Sequence, residues 1–417
     1  MNTGSLSPAA AAALPRVSVV IAVRNGLDDL RACLTAIRAS TLAVHELIVI
    51  DDASTVDVAS LAKSFGATVG SLPVNRGPAF ARNRGAELAS GEILFFTDAD
   101  VRVHPQTIEI AVRTLAADAT LAAVIGSYDE TPADPHFIAQ YKNLFHHWVH
   151  QGAKPEAKTF WTGCGAIRRR VFLAVGGFNE GYRKPSIEDI ELGFRLHGRG
   201  ERIRLEKSML ATHAKRWQLF DLIRTDVFLR GVPWIALMLR DRHDPKDLNL
   251  SFRSKLATLV AGSFVLSLLL VAIFAGPSAA LPALALLGAT GLVSTWGGRR
   301  GALPVAGALA LPILATSLAA AFAQDPWAFL PVGLLLALAS SHSDLYEFFA
   351  RKRSVAFAVA VLPMHLIFQL CCAASVPLGW LRHARDQRRA ARSQEGPAIR
   401  ELQPLPRTAQ VQRSLGA

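Results

Sequence analysis

From Val17 onward the chain alternates short β-rich runs with segments whose apolar residues recur at helical spacing. Val17-Ser-Val-Val-Ile-Ala-Val23 predicts a strand and Leu27–Ala39 a helix; Glu46-Leu-Ile-Val-Ile50 predicts a second strand and Val56–Phe65 a second helix. Ala67–Leu72 reads as a weaker strand, Pro78–Leu88 as a helix, and Ile93-Leu-Phe-Phe96 as a fourth strand. This βαβαβαβ order predicts an α/β fold with a parallel sheet and helices on both faces. Ligands bind such sheets beyond the carboxyl ends of the strands. Acids stand at those ends: Asp51 and Asp52 after the second strand, Asp98 and Asp100 after the fourth.

The pattern changes in the C-terminal part. Leu256–Ala275 carries no charge, and at about 1.5 Å per residue it can cross ~30 Å of hydrocarbon. Ala279–Trp296 and Ala302–Ala323 repeat the pattern around Gly297-Gly298-Arg299-Arg300; Trp327–Ser341 is shorter, and Ser354–Trp380 is long and contains His365. A buried core helix would explain one short run but not three long ones in succession. Four or five transmembrane helices are predicted. Ala9–Leu14 has no basic segment before it, so it does not read as a signal peptide. Arg240, Arg242, Lys246, Arg253 and Lys255 lead into the first span and place the preceding residues on the cytoplasmic side of the inner membrane. The basic tail (Arg382, Arg385, Arg388, Arg389, Arg392) prefers that side too, whereas five crossings would put it outside. Either Trp327–Ser341 does not cross, or Ser354–Trp380 folds back at Pro363 and Pro377. The chain therefore divides into a flexible N-terminus (1–14), an α/β domain (15–215), interfacial helices (216–254), an all-α transmembrane domain (255–380) and a disordered basic tail (381–417). Trp217, Phe220, Ile223 and Val227 recur at helical spacing beside Arg216 and Arg224, which fits a core helix or an interfacial one.

Composition adds three exclusions. With 51% apolar residues the chain is not wholly disordered, and four cysteines, two of them adjacent, make neither a disulfide framework nor a four-cysteine zinc ribbon. The formal charge of +12 would suit nucleic acid or an anionic membrane. It clusters beside the spans and forms no basic stripe with interleaved aromatics, so no nucleic-acid partner is expected. A dinucleotide fingerprint, a P-loop, His-Glu-x-x-His and Gly-x-Ser-x-Gly are absent from the sequence.

The carboxylates remain. Asp98 and Asp100, two apart in an extended segment, would point to one side and repel unless a cation lay between them. Mg²⁺ or Mn²⁺ commonly bridges carboxylates to substrate phosphates. His146 and His150 share a helical face but have no third partner nearby, so packing is expected.

Val17–Asn25, Ile48-Val-Ile-Asp-Asp-Ala-Ser-Thr55, Asn75–Gly85 and Ile93–Asp100 together resemble family 2 glycosyltransferases, inverting enzymes of the Rossmann-like GT-A fold. Thr162-Gly-Cys-Gly-Ala-Ile-Arg-Arg, Val175–Glu180 and Ile187-Glu188-Asp189 resemble the acceptor-side segments, so the likeness covers roughly residues 15–220. The resemblance implies that Asp52 accepts from the nucleotide base, that Asp98 holds the ribose or assists the metal, and that Asp100 ligates it. It implies Arg82 at the donor phosphates, Asp189 as general base with Glu188 in support, and Gly163, Cys164 and Gly165 on the acceptor side. Ala22 and Arg24 stand where proline and tyrosine are frequent, which bears on nucleotide fit. His213-Ala-Lys-Arg216-Trp217 replaces the Gln-x-x-Arg-Trp of processive synthases. His213 is a candidate third metal ligand or a packing residue. The expectation is a membrane-anchored inverting glycosyltransferase that uses a UDP- or GDP-sugar and a lipid-linked or membrane-presented acceptor. A processive polysaccharide synthase and a non-catalytic nucleotide- or glycan-binding membrane protein are the alternatives.

Overall fold

A computed structural model describes residues 14–242, 251–274 and 329–394. The first elements are β1 (Val17–Val23), α1 (Leu27–Arg38), β2 (Glu46–Asp51), α2 (Val58–Ser64), β3 (Thr68–Ser71), α3 (Pro78–Leu88) and β4 (Ile93–Asp98), as the hydrophobic pattern predicts. Side-chain alternation explains why this sheet is covered on both faces. Val17, Val19, Ile21 and Val23 pack against Leu30 and Leu34 of α1 and Val58 of α2. Val20, Ile48 and Ile50 pack against Ala79, Ala81 and Ala86 of α3.

Beyond β4 come β5 (Val101–Val103), α4 (Thr107–Ala117), β6 (Leu121–Tyr128), α5 (Phe137–Gly152), β7 (Glu156–Ala157), β8 (Cys164–Arg168), α6 (Arg169–Ala174), α7 (Glu188–Gly198) and β9 (Arg202–His213). Among the described residues the strands form one sheet in the order β3-β2-β1-β4-β8-β6-β9-β5, with β7 beside β9. The first four strands pair in parallel as predicted, and beyond them the sheet becomes mixed, because β8 runs antiparallel to both β4 and β6. The insertion of β8 places Thr97 opposite Cys164 and lengthens the edge at which β1, β2 and β4 end.

The helical part begins with α8 (Leu219–Arg224), a π-helical turn (Thr225–Gly231), α9 (Val232–Asp241) and α10 (Phe252–Phe274). Helices Phe329–Ser340, Ser343–Lys352 and Val355–Gln394 follow. Two segments, Phe252–Phe274 and Val355–Ala390, are long and apolar enough to cross a membrane. Only 28% of the apolar window of the first is buried, whereas a core helix of a soluble protein would be mostly covered. The expected spans at 279–296 and 302–323 lie outside the described residues. Helix Phe329–Ser340 has 12 residues, about 18 Å at 1.5 Å per residue, and is too short to cross alone. The segment from Ser354 does not fold back. Pro363 and Pro377 lie inside one continuous helix that runs to Gln394, so the part of the expected disordered tail up to that residue is helical. An ion pair between Arg382 and Asp386 and a Gln387–His383 contact, both one turn apart, support the extension.

The interfacial stripe divides: Trp217 and Val227 are buried, while Phe220 is 77% and Phe228 59% exposed. Docking to the helical part runs through α5. Tyr141, Leu144 and Phe145 pack against Phe348, Phe349, Val361 and Met364. Lys142 Nζ donates to both oxygens of Asp226 in the π-helical turn, each at 2.7 Å.

Helix α7 lies tight against the chain before β8. A Cβ on Gly193 would stand 2.5 Å from Thr159 Cα. Gly193→Ala should therefore cost about 1–3 kcal/mol and shift the start of α7, read as a lower midpoint in detergent-solubilised thermal unfolding.

Candidate active site

Three parallel strands end together. Val23 is paired with Asp51, and Ala22 lies between Ile50 and Asp98. The loops beyond them interlock through left-handed backbone at Asn25 (φ 63°), Gly26 (φ 70°) and Ala53 (φ 57°). Asn25 N–H donates to Ser54 Oγ at 2.7 Å, and Asn25 Oδ1 accepts from Thr55 N–H at 2.8 Å. Asp52 is buried, and its two oxygens accept from Arg76 N–H (2.7 Å) and Gly77 N–H (2.9 Å). It orders the loop leading into α3.

Arg82 is 6% exposed, donating to Asp98 Oδ1 at 2.6 Å and to Glu188 Oε1 at 2.8 Å. A guanidinium fixed between two carboxylates ties β4 to the start of α7. Glu188 is held further by Ser186 N–H, which donates to Oε2 at 2.9 Å.

Asp189, the next residue, accepts from Thr162 N–H at 3.2 Å and Ile190 N–H at 2.8 Å. Burial, and then the adjacent Glu188 charge, push its pKa from the ordinary 3.8 up to about 6, against the opposing pull of Arg82 and the two amides. A carboxylate so tuned can take a proton from a hydroxyl near neutral pH.

The Asp-x-Asp pair does not lie on one extended face. Asp98 ends β4 and turns to Arg82, whereas Asp100 sits in the following turn, 3.5 Å from His213 Nε2. Burial tends to raise the Asp100 pKa, but its neighbours His213 and then Lys215 hold it below the ordinary value. Among the described residues no three His, Cys, Asp or Glu side chains form a metal cage; of the expected ligands Asp98, Asp100 and His213, it is Asp100 and His213 that face each other. Those two fit a hard divalent ion. Their 3.5 Å separation exceeds a good hydrogen bond, and a carboxylate beside an imidazole is a donor pair that would suit such an ion.

The His213 ring stacks on Tyr128 (4.5 Å, 6°), which contacts His146 and Trp161. His146 and His150 form packing contacts in this wall; burial lowers both pKa values, that of His150 to about 4. Gly163, Cys164 and Gly165 are buried in and just before β8, and the Cys164 side chain lies in the core. The segment packs tightly under Trp161: a Cβ on Gly163 would stand 2.6 Å from the Trp161 ring and one on Gly165 2.3 Å from the Trp161 carbonyl oxygen. Trp161, partly exposed, and Tyr128 were missed by sequence reasoning. Only proximity to the Thr162–Gly165 segment could have singled out Trp161, and nothing local singles out Tyr128.

Residues 18–176 match the family model of glycosyl transferase family 2. They form a family 2 glycosyltransferase domain. Its mixed α/β architecture is GT-A-like. A pre-mycofactocin glycosyltransferase of Mycobacterium tuberculosis is 31% identical over 240 residues, covering 55% of this chain and 48% of the relative. A validoxylamine A glucosyltransferase of Streptomyces hygroscopicus subsp. jinggangensis is 29% identical over 229 residues, covering 46% of this chain and 54% of the relative. The chain spans about half the length of these curated relatives. A mannosyltransferase from Pyrobaculum calidifontis, solved with GDP-Man and Mn²⁺, aligns over 83% of this chain and 86% of its own at 22% identity and TM-score 0.49.

Two outcomes follow for this domain. Asp189 has a raised folded-state pKa, so the folded protein binds the proton more tightly and this residue's contribution to stability falls as pH rises from about 4 through 6. Asp189→Asn should raise the melting temperature at pH 7.5 and lose that advantage below about pH 4, measured across a pH series. Arg82→Met leaves Asp98 and Glu188 without their shared cation and should cost about 3–5 kcal/mol, seen in the denaturant midpoint.

Proposed function

We propose that the chain is a membrane-anchored inverting glycosyltransferase transferring a sugar from a UDP- or GDP-sugar to a hydroxyl of a lipid-linked or membrane-presented glycan. The observation that carries the reading is the tuned Asp189 carboxylate at the same sheet edge as Asp98 and the Asp100–His213 pair. In this reading the acceptor oxygen attacks the anomeric carbon as its proton passes to Asp189. The bond from that carbon to the diphosphate oxygen breaks, and its electron pair leaves with the nucleotide diphosphate. One displacement with one base inverts the anomeric centre and needs no covalent nucleophile. Glu188 raises the basicity of Asp189, and Arg82 keeps Glu188 and Asp98 in register. Asp98 orients the donor ribose, Trp161 offers a face to a sugar ring, and Asp100 and His213 would hold Mg²⁺ or Mn²⁺. When bound, the ion supplies positive charge to the departing diphosphate.

The acceptor proposal rests on placement. The wall of the site is α5, which docks on helices Ser343–Lys352 and Val355–Gln394, with exposed Phe220 and Phe228 alongside. We infer that the catalytic domain lies on the cytoplasmic side, as the basic residues before the first span suggest.

Purified full-length protein should turn over a UDP- or GDP-sugar in a Mg²⁺- or Mn²⁺-dependent way. Asp189→Asn and Asp100→Ala should each reduce turnover by roughly 10²–10⁴-fold. The rate of the parent enzyme should rise with pH through about 6 as Asp189 loses its proton. Unchanged turnover in both variants would overturn the site assignment, and many sugars added to one acceptor molecule would favour a processive synthase.

A further inference from the structure

His213 is fixed from behind by a residue with no role in the scheme above. Its Nδ1 lies 2.7 Å from Asn143 Oδ1, an amide oxygen that can only accept, so Nδ1 carries the proton. In the neutral ring Nε2 is then a lone pair, and it faces Asp100 Oδ2 at 3.5 Å. Two electron-rich atoms face each other across a gap that a cation would fill. The flat stack on Tyr128 holds the ring plane.

Asn143 is only 2% exposed, and its Nδ2 is buried without a hydrogen-bond partner. An unsatisfied buried donor costs stability, and a leucine of similar size would fill the same space without it. Packing alone therefore does not explain an amide here. Its acceptor oxygen does. The neighbouring residues on α5 are anchored, Lys142 to Asp226 and Tyr141 Oη to the Met364 carbonyl (3.3 Å), which fixes the position of the amide.

We propose that Asn143 is a positioning residue that sets the His213 tautomer and aims Nε2 at the gap beside Asp100, where a divalent cation accompanies the nucleotide diphosphate. The inference rests on the metal-assisted reading above. Amides and carbonyls behind ligating imidazoles commonly act this way, and their loss weakens metal binding about 10–100-fold.

The test is Mn²⁺ binding to the full chain in detergent with saturating UDP and, in parallel, GDP. Electron paramagnetic resonance reads the apparent Kd together with the ¹⁴N modulation of a coordinated imidazole. Asn143→Leu should weaken the apparent Kd about 10–100-fold and diminish the modulation without lowering the melting temperature. Asn143→Asp, which keeps an acceptor, should restore both. Asn143→Ala carries the same expectation for binding should the leucine variant fail to fold. Wild-type Kd and modulation in the variant lacking the acceptor, with both lost in His213→Ala, would overturn the role of Asn143 and leave the metal reading standing. Wild-type binding in His213→Ala would overturn the metal reading itself, and this proposal with it.

Discussion

The buried guanidinium of Arg82 is what allows acids from distant parts of the chain to share one sheet edge. Asp98 ends β4 and Glu188 opens α7, and without a cation between them their charges would drive the two elements apart. A planar fork reaches both at once, which a lysine ammonium would do with less geometric control. The same contact sets the surroundings of Asp189. The adjacent Glu188 raises the proton affinity of Asp189, while Arg82 limits the rise. In the proposed reaction the positions of the base and of the donor contact at Asp98 therefore share one origin, the Arg82 cation.

Helix α5 carries the second constraint. Asn143, His146 and His150, spaced along one face, meet His213, Tyr128 and Trp161. Tyr141 and Phe145 meet the helical region, and Lys142 meets Asp226. A helix packed on both sides cannot shift on one without moving on the other. The wall of the cleft is thus placed by the docking of the catalytic domain on its helices. The π-helical turn serves the same joint, because Gly231 lets the chain pass against Ser375 where any side chain would collide.

The first four strands and three helices were legible because two-residue and helical periodicities are local signals that burial on two faces enforces. The resemblance placed Asp98, Asp100, Glu188, Asp189 and His213 in one reading, and the structure brings them to one edge. What it could not give was which acid each cation meets. Arg82 stands in a motif that suggests phosphate, yet its surroundings are fixed by Glu188, more than a hundred residues away. Asp52 was legible as an acid at a strand end, but the loop it binds is visible only in three dimensions. The antiparallel β8 escaped because a five-residue strand with an internal glycine has no periodicity to read. The helix beyond Trp380 escaped because its support comes from polar pairs one turn apart, which a hydrophobic pattern does not register.

Charge at the sheet edge leads to a last step. Asp98, Asp100, Glu188 and Asp189 gather there, and Arg82 is already engaged by two of them. Asp189, with a pKa near 6, is mostly ionised at neutral pH, so a nucleotide diphosphate would approach a site whose carboxylates outnumber its buried cations. Lys215 lies near Asp100, but its ammonium is folded over the Trp217 ring at 4.2 Å. A divalent ion at the Asp100–His213 gap would reverse the sign of the local field where the phosphates must sit, while leaving Asp189 basic on the acceptor side. In the proposed reaction the separation of those two acids, one beside His213 and one beside Thr162, would let one edge hold an anionic leaving group and a general base without either neutralising the other.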